Sequence, residues 1–369
     1  MIPLIKPGVS YDAVAAQFRE IIESGQLTSG KYVRAFESAV ADYLGVSHAY
    51  TTTSATTAMH MTLVGMDVGP DDEVLVSDFT FPATGNVVAQ IGATPVMVDC
   101  RPGQFDMDPL DLTAKVTEKT RAVIVVHPFG QPADMAAINK VAVTHGFKVI
   151  EDAACALGSS LPGGQACGAA SDAGCFSFHP RKLLTTGEGG MIVTNDDPLA
   201  ARIEILRSHG GVRGRVGMDF VENGFNYRMS EIQAALGLEQ IGRFDPILEE
   251  RRRIAKMYFD HLNQINSIQI PMSGDIDQCT FQSFVVLLGD DVDRDAVCES
   301  MRAAGVETTL GTYAMHRHQA FAKFGYKPGD LPNASRAETQ SLTLPLFAGM
   351  QEIEIRKIID TLVKAIDAA

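Results

Sequence analysis

The first half of the chain alternates between short apolar segments and helix-like segments, and this alternation constrains the fold more than any other feature. Six apolar segments are rich in β-branched residues: 73–76, 95–98, 122–126, 148–150, 174–178 and 191–194. Helix-like stretches such as 57–65 and 133–145 lie between them. Strands that are apolar throughout are buried on both faces, which is typical of parallel sheets covered by helices. The sequence therefore predicts an α/β protein built on a mainly parallel sheet.

The pattern changes in the C-terminal third. Residues 231–264 have the spacing of one or two long amphipathic helices, and we interpret the charged run 249–253 as a solvated face. Residues 281–288 predict a strand and residues 350–369 a closing helix. This change in the sequence pattern indicates a second, smaller domain.

Length, composition and charge limit the possible functions. A chain of 369 residues suits one large and one smaller domain, which we place at residues 1–245 and 246–369. No apolar run approaches the roughly 20 residues of a membrane span, and the first residues lack a signal-peptide pattern. Six scattered cysteines without a C-x-x-C pair favour a reducing cytoplasm over zinc or disulfides. The net charge of −14 argues against nucleic-acid binding.

Lys182 has the surroundings of a cofactor-binding lysine. It follows the apolar segment 174–178 and precedes the glycine cluster 187–190, and the pair Glu151–Asp152 ends an apolar run upstream. A lysine that forms a Schiff base with pyridoxal phosphate (PLP) needs a rigid strand-to-loop position, an Asp for the pyridinium nitrogen and donors for the phosphate. Since most lysines are solvated surface charges, the assignment depends on further features in order along the chain.

Four further segments fit a planar, phosphorylated cofactor. The small hydroxyl residues of 53–57 precede a helical pattern, and a helix N-terminus binds anions, although a capped helix without a ligand gives the same pattern. Phe81 follows a strand, where its ring can stack on a bound ring or lie in the core. Ser177 offers a hydroxyl shortly before the lysine. Asn226 and Arg228 are polar residues among apolar ones, ahead of a predicted helix.

These segments resemble the DegT/DnrJ/EryC1/StrS family of PLP-dependent aminotransferases over nearly the full length. The most specific part is Ser177-Phe178-His179-x-x-Lys182, followed by Gly187-Glu188-Gly189-Gly190. The other matching runs are 25–37, 54–56, 69–74, 92–96, 127–132, 151–154, 224–229 and 342–346. A collinear series of this extent is far beyond coincidence.

The resemblance implies a fold and a set of residue roles. The fold is the PLP-dependent transferase fold type I, like aspartate aminotransferase, with a mainly parallel seven-stranded sheet in the large domain and a smaller C-terminal α/β domain. Such enzymes are homodimers with active sites at the subunit interface. By position, Lys182 is the Schiff-base lysine and Asp152 pairs with the protonated pyridine nitrogen. The other implied contacts are Phe81 and Ala154 on the two ring faces, and Ala55, Thr56, Ser177 and the neighbouring subunit's Asn226 at the phosphate.

Cys155 departs from the family pattern. This position is usually Gln, His or Glu, with a polar side chain near the cofactor's 3′-oxygen. Cys is a weak hydrogen-bond partner, so Cys155 is either a small buried filler or a cofactor-contacting, functional thiol, and both interpretations stay open.

Candidate substrate contacts are less specific. His316 occupies a position where family members approach the sugar, and Arg228 is a second candidate. The basic segment 207–215 either grips a nucleotide diphosphate or carries solvated loop charges. The pair His316-x-His318 has no companion carboxylates or cysteines, so no metal site is predicted.

The resemblance implies an enzyme that transfers an amino group to a carbonyl of a carbohydrate-derived acceptor. The amino donor in this family is usually L-glutamate. The acceptor is most often a nucleotide-linked keto-sugar, and a cyclitol or other non-nucleotide carbonyl is the alternative. Lys182 is expected to move the proton while Asp152 keeps the ring nitrogen protonated. Dehydratases of the family have His in place of the lysine, which Lys182 contradicts. A non-catalytic regulatory protein would be expected to lack Lys182 or Asp152, and both are present.

Overall fold

The computed structural model describes residues 1–369. Its helices are α1 (Tyr11–Ser24), α2 (Lys31–Leu44), α3 (Ala55–Gly65), α4 (Ala83–Gln90), α5 (Pro109–Ala114), α6 (Met135–His145), α7 (Asp197–Leu206), α8 (Glu231–Ile241), α9 (Phe244–Leu262), α10 (Arg294–Ala303), α11 (Pro332–Gln340) and α12 (Glu352–Ala368). Its strands are β1 (His48–Thr52), β2 (Glu73–Ser77), β3 (Phe79–Thr80), β4 (Thr94–Val98), β5 (Thr120–Val126), β6 (Lys148–Asp152), β7 (Ala173–Ser177), β8 (Gly190–Thr194), β9 (Gly211–Arg213), β10 (Met218–Phe220), β11 (Ile268–Gln269), β12 (Phe284–Leu288), β13 (Tyr313–Ala314) and β14 (Ser341–Leu344).

A seven-stranded sheet with strand order β1-β8-β7-β6-β5-β2-β4 forms the centre of the large domain. Strand β8 runs antiparallel to both of its neighbours, and the other pairs are parallel. The predicted mainly parallel sheet and its six predicted strands are confirmed. The seventh strand, β1, was not predicted, because its sequence His-Ala-Tyr-Thr-Thr lacks an apolar run and lies at the sheet edge.

Alternate residues of the central strands pack into two separate apolar cores. Val123 and Val149 belong to the core on one face, whereas Ile124 and Ile150 belong to the core on the other. All four are almost fully buried. This two-sided burial is why the strands are apolar along their whole length, and it holds the carboxyl ends of β5, β6 and β7 at one edge of the sheet.

The C-terminal region has its own apolar core. Strands β11, β12 and β14 form an antiparallel sheet, and helices α9, α10 and α12 contribute to the same core. Ile2 also lies in this core and forms a parallel bridge with Val306, so the first residues pack with the C-terminal region. The division at residue 245 falls at the start of α9 and stays a prediction. No helix combines the length and apolarity needed to cross a membrane.

The prediction that the charged run 249–253 is a solvated face is wrong at Arg251. Its guanidinium is buried and donates to the carbonyl oxygens of Phe281, Gln282 and Leu346 at 2.6–3.1 Å. Burial lowers the pKa of Arg251 to about 9. The five donors of an arginine satisfy several carbonyls that no strand partner reaches, which sequence charge alone does not reveal.

Candidate active site

Asp152 ends strand β6 and lies at the carboxyl edge of the sheet. It pairs with Val126 of β5 and Cys175 of β7, and its residue is 6% exposed. Thr84 Oγ1 donates to one carboxyl oxygen at 2.8 Å, and the Ala154 N–H donates to the other at 3.2 Å. Burial raises the pKa of Asp152 despite these bonds. A further partner that carries positive charge would therefore stabilise the ionised carboxyl.

The neighbouring Glu151 points to the other face of the sheet, into a closed network. His127 Nε2 donates to it at 2.8 Å, while His127 Nδ1 accepts the Ala133 N–H at 3.0 Å. Three further donors are the Gly168 N–H, the Ala170 N–H and the Ser171 hydroxyl, at 2.7–2.8 Å. Burial alone would raise the pKa of Glu151, but the hydrogen bonds outweigh it and lower that pKa. This side of β6 is structural.

Lys182 lies in the turn that follows β7. The turn is fixed because the Lys182 N–H donates to the His179 carbonyl at 2.8 Å and the Leu183 N–H donates to the Gln282 side chain at 3.2 Å. The Lys182 side chain is half-buried, and its Nζ lies 3.0 Å from Sγ of Cys155. The amine is thereby held near the same sheet edge as Asp152.

The start of helix α3 provides an anion site at this edge. Ser54 caps the helix through a reciprocal pair of hydrogen bonds with Thr57, so the N–H groups of Ala55 and Thr56 lie in the first turn, where they have no helical acceptor. Gly190 pairs with both Thr52 and Ser177, and a Cβ on it would lie 2.3 Å from the Ser54 carbonyl carbon. Only glycine lets the helix start approach this closely, and the Ser177 hydroxyl is brought to the same place. The arrangement fits a phosphate.

Phe81 lies open at the site, with 67% of its residue exposed. Its ring centroid is 6.5 Å from that of Tyr313, at an angle of 60°. The pairing of β3 with β13 brings this part of the C-terminal region to the large domain. Tyr313 was missed by sequence reasoning; its place three residues before His316 was the available signal. Ala154 is half-buried beside Asp152.

His316 is buried beneath the site rather than open to it. Its Nδ1 lies 2.5 Å from Oδ2 of Asp78, and its Nε2 lies 3.1 Å from the Ser335 hydroxyl. The residue is 3% exposed. Burial raises the pKa of Asp78, although its hydrogen bond with His316 acts in the opposite direction. A contact between His316 and a substrate requires one of these two hydrogen bonds to open.

Asn226 is exposed, and its neighbours fix its direction. The rings of Phe225 and Tyr227 stack at 4.8 Å and 6°, and both contact His60 of α3. Asn226, on the opposite side of this extended segment, faces away from that cluster. Arg228 donates to the Arg207 carbonyl at 3.3 Å.

The basic segment 207–215 has two different parts. Arg207 is an interior anchor: it pairs with Glu37 at 2.5 Å and lies over the Tyr50 ring. Arg213 and Arg215 lie on the exposed β9–β10 hairpin. The predicted grip on a diphosphate is therefore restricted to the hairpin arginines, and it stays a prediction.

Lys182, the buried Asp152 carboxyl and the start of helix α3 thus lie at one sheet edge, as the sequence motifs predicted. The sequence pattern of the DegT/DnrJ/EryC1/StrS aminotransferase family matches residues 11–363. The chain belongs to the DegT/DnrJ/EryC1/StrS aminotransferase family.

Relatives of this family member agree in sequence and in structure. GDP-perosamine synthase of Caulobacter vibrioides is 40% identical over 339 residues, which cover 90% of each chain. The Spr1654 protein of Streptococcus pneumoniae, solved in its PLP form, has a TM-score of 0.94 and 26% identity, covering 100% of this chain and 99% of its own. PseC of Helicobacter pylori, an aminotransferase of pseudoaminic acid biosynthesis, has a TM-score of 0.92 and 25% identity, covering 100% of both chains.

The predicted fold type I architecture, the transaminase class and the cofactor are confirmed by these comparisons. This member of the DegT/DnrJ/EryC1/StrS family is a PLP-dependent aminotransferase. The residue roles within its site remain predictions, and the geometry above shows how well each position suits its role.

Proposed function

We propose that this aminotransferase transfers an amino group from L-glutamate to the carbonyl of a nucleotide-linked keto-sugar. The observation that carries the acceptor class is the 40% identity with GDP-perosamine synthase, over 90% of both chains. The structural similarity to PseC, an aminotransferase of pseudoaminic acid biosynthesis, also supports a carbohydrate-derived acceptor.

Each residue at the sheet edge has a separate role in the proposed reaction. Bound PLP supplies the electron sink for the substrate's carbon. Lys182 is the amine that holds the cofactor and then carries the proton to and from the substrate carbon. Asp152, buried and short of donors, holds a proton on the ring nitrogen. The N–H groups of Ala55 and Thr56 and the Ser177 hydroxyl bind the phosphate.

The acceptor is tested by mass spectrometry of reaction mixtures. The purified enzyme is incubated with L-glutamate and a panel of nucleotide keto-sugars, with cyclitol ketones as the second arm. We expect 2-oxoglutarate together with an aminated nucleotide sugar, and no product from the Lys182→Ala variant. Amination of the cyclitol arm alone would replace the proposed acceptor, and absence of 2-oxoglutarate in every arm would remove the proposed donor.

We further propose that two subunits build each active site. Asn226 is exposed in the single chain, although the family resemblance assigns it to a phosphate. The nearby β9–β10 hairpin exposes Val216 to 93% and Phe220 to 65%, and apolar surface of this kind favours burial against another chain. A homodimer that places Asn226 at the cofactor phosphate of the neighbouring subunit explains why Asn226 and the apolar hairpin residues are both exposed in the single chain.

Subunit mixing tests the shared site. Lys182→Ala and Asn226→Ala chains are each expected to have greatly reduced activity, and their mixed dimer contains one site with both lesions and one with neither. Activity should therefore return, up to about a quarter of the wild-type value for random exchange. Different affinity tags on the two variants allow the mixed dimers to be isolated, which is the control for exchange. Failure of complementation despite verified exchange, or full activity in a monomer, would contradict the shared site.

A further inference from the structure

The side-chain amide of Gln282 holds the backbone on both sides of Lys182. Its oxygen accepts the Leu183 N–H at 3.2 Å, and its nitrogen donates to the Arg181 carbonyl oxygen. An amide offers an acceptor and donors on one group, so a single side chain fixes the peptide groups before and after the lysine. Gln282 is buried, which limits competition from water for both hydrogen bonds. One residue therefore holds the backbone from which the Lys182 side chain extends.

Gln282 belongs to the C-terminal region, whereas Lys182 follows a strand of the seven-stranded sheet. Gln282 lies two residues before β12, and its neighbour Phe281 is part of the C-terminal apolar core. Thr280, on the other side of Phe281, donates its hydroxyl to the Cys155 carbonyl oxygen at 2.9 Å. The residues on both sides of Phe281 therefore reach the edge of the large sheet, while Phe281 itself is anchored in the C-terminal core.

The backbone of Phe281 is in an unfavourable conformation that a buried arginine maintains. Its φ of 47° lies in the left-handed region, which bulky residues rarely adopt. The Arg251 guanidinium donates twice to the Phe281 carbonyl oxygen, at 2.6 and 3.0 Å, and once to that of Gln282, at 2.9 Å. A conformation of this kind persists only where its surroundings determine it, and such residues cluster at functional sites. The direction of Gln282 is therefore fixed from within the C-terminal core.

A second glutamine holds the same loop further along the chain. The Gln240 side chain accepts the Thr185 N–H at 3.0 Å and donates to the Thr185 carbonyl oxygen at 2.7 Å. Gln240 is buried on α8. It has the same side chain and the same kind of hydrogen bonds as Gln282, but its partner lies three residues after Lys182. Gln240 is therefore a matched reference for what loosening this loop does without releasing the lysine's neighbours.

We propose that Gln282 is a positioning residue for Lys182, which fixes the peptide groups on both sides of the lysine so that Nζ points toward the cofactor. The inference rests on the proposed role of Lys182 as the amine that holds the cofactor. It goes beyond that role because the C-terminal region then sets the direction of the reactive amine. Direction matters, since a displacement of about 1 Å can lower a rate by about 10²-fold.

A double-mutant cycle tests whether Gln282 acts through Lys182. Full-length proteins are freed of cofactor by dialysis against a carbonyl-trapping amine and are then mixed with PLP. Equilibrium dialysis measures the dissociation constant of PLP, and stopped-flow absorbance measures the rate of its covalent capture. The variants are Gln282→Met, Lys182→Ala and the double variant, with Gln240→Met as the matched control. Met keeps the length of the Gln side chain and removes both hydrogen bonds.

We expect Gln282→Met to slow covalent capture about tenfold and to weaken PLP binding about fivefold when Lys182 is present. In the Lys182→Ala background, Gln282→Met should change the dissociation constant by less than about twofold, because its hydrogen bonds no longer position an amine. Gln240→Met should capture PLP within about twofold of the wild-type rate, whatever its thermal midpoint. If Gln282→Met does not fold, Gln282→Asn replaces it: the shorter amide cannot reach both peptide groups, and the same direction of change is expected.

Three results would overturn the positioning role. The first is a wild-type rate of capture in the Gln282 variant. The second is an equal loss of PLP affinity with and without Lys182, and the third is an equal slowing in Gln240→Met, because both report a general loosening of the site. Covalent capture that persists in Lys182→Ala would instead remove the proposed role of Lys182, so failure of that role and failure of this inference give different results.

Discussion

Glu151 and Asp152 are adjacent at the end of β6, and the molecule uses them in opposite ways. Glu151 accepts four hydrogen bonds, which lower its pKa against the effect of burial. Asp152 accepts two, and burial raises its pKa. Successive side chains of a strand point to opposite faces of the sheet, so the two carboxyls meet different surroundings.

We propose that the contrast separates a carboxylate that stabilises the fold, Glu151, from one that binds the cofactor, Asp152. A buried carboxylate whose hydrogen bonds are complete has nothing to offer a ligand. A buried carboxyl with too few hydrogen-bond donors is costly to ionise, and a cationic ligand lowers that cost. A protonated ring nitrogen is such a ligand. We call the side with Asp152 and Lys182 the cofactor side, and the side with Glu151 and His127 the buried side.

The largest expected effect on the cofactor side follows from Lys182→Ala. The covalent and acid–base roles disappear together, so turnover should fall by about four orders of magnitude or more. The thermal midpoint should stay within a few degrees of wild type, because the side chain is only half-buried. Steady-state assays beside calorimetry check both parts. Turnover near the wild-type value would remove Lys182 from the mechanism.

Asp152→Asn should have the next largest effect. The neutral amide does not stabilise a proton on the ring nitrogen, so the glutamate half-reaction should slow by about 10²-fold or more while the cofactor stays bound. Stopped-flow absorbance of the half-reaction measures the rate directly. The matched variant is Glu151→Gln, one residue away: its half-reaction should be close to wild type in whatever fraction of the protein is folded. If both variants slow alike, the distinction between the two sides is wrong.

The free energy of unfolding should show the opposite order: Glu151→Gln should destabilise the fold more than Asp152→Asn does. The lowered pKa of Glu151 means that its carboxylate stabilises the fold above its unfolded pKa of about 4.3, and that this is lost as pH falls through the folded value. The raised pKa of Asp152 means that its carboxylate costs stability as pH rises above about 3.9.

At pH 7.5, Glu151→Gln should therefore lose about 3 kcal/mol, since its amide faces the N–H groups of Gly168 and Ala170. Cofactor-free Asp152→Asn should be as stable as wild type or gain about 1 kcal/mol. Denaturant unfolding of the cofactor-free proteins at pH 7.5 and pH 4 measures the free energy of unfolding of both variants. The difference in this free energy between the two variants should be smaller at pH 4. Equal losses in the two variants would show that Asp152 is structural too.

Much of this site was predictable from sequence, because its signals are local. The strand carrying Glu151–Asp152, the turn carrying Lys182 and the helix start at Ala55 each have a recognisable pattern, and parallel strands bring their ends to one edge. Sequence did not separate the role of Glu151 from that of Asp152, since completeness of hydrogen bonding depends on donors such as Ser171 that come from another loop.

The remaining differences come from long-range packing. Arg251 lies in a charged run, yet three distant carbonyls draw it into the core. His316 is bonded to Asp78 and Ser335, and its approach to the sugar stays a prediction. Tyr313 reaches the site because β13 pairs with β3. None of these contacts has a local pattern.

The central claim is that the cofactor side is organised around a Schiff base at Lys182, and borohydride trapping tests it most directly. The purified enzyme is reduced in the absence of amino donor, digested, and mapped by mass spectrometry for peptides that carry the reduced cofactor. We expect the label on Lys182 alone, and its loss when L-glutamate is added before reduction. Label on a different lysine, or label on Lys182 that glutamate does not remove, would contradict the account.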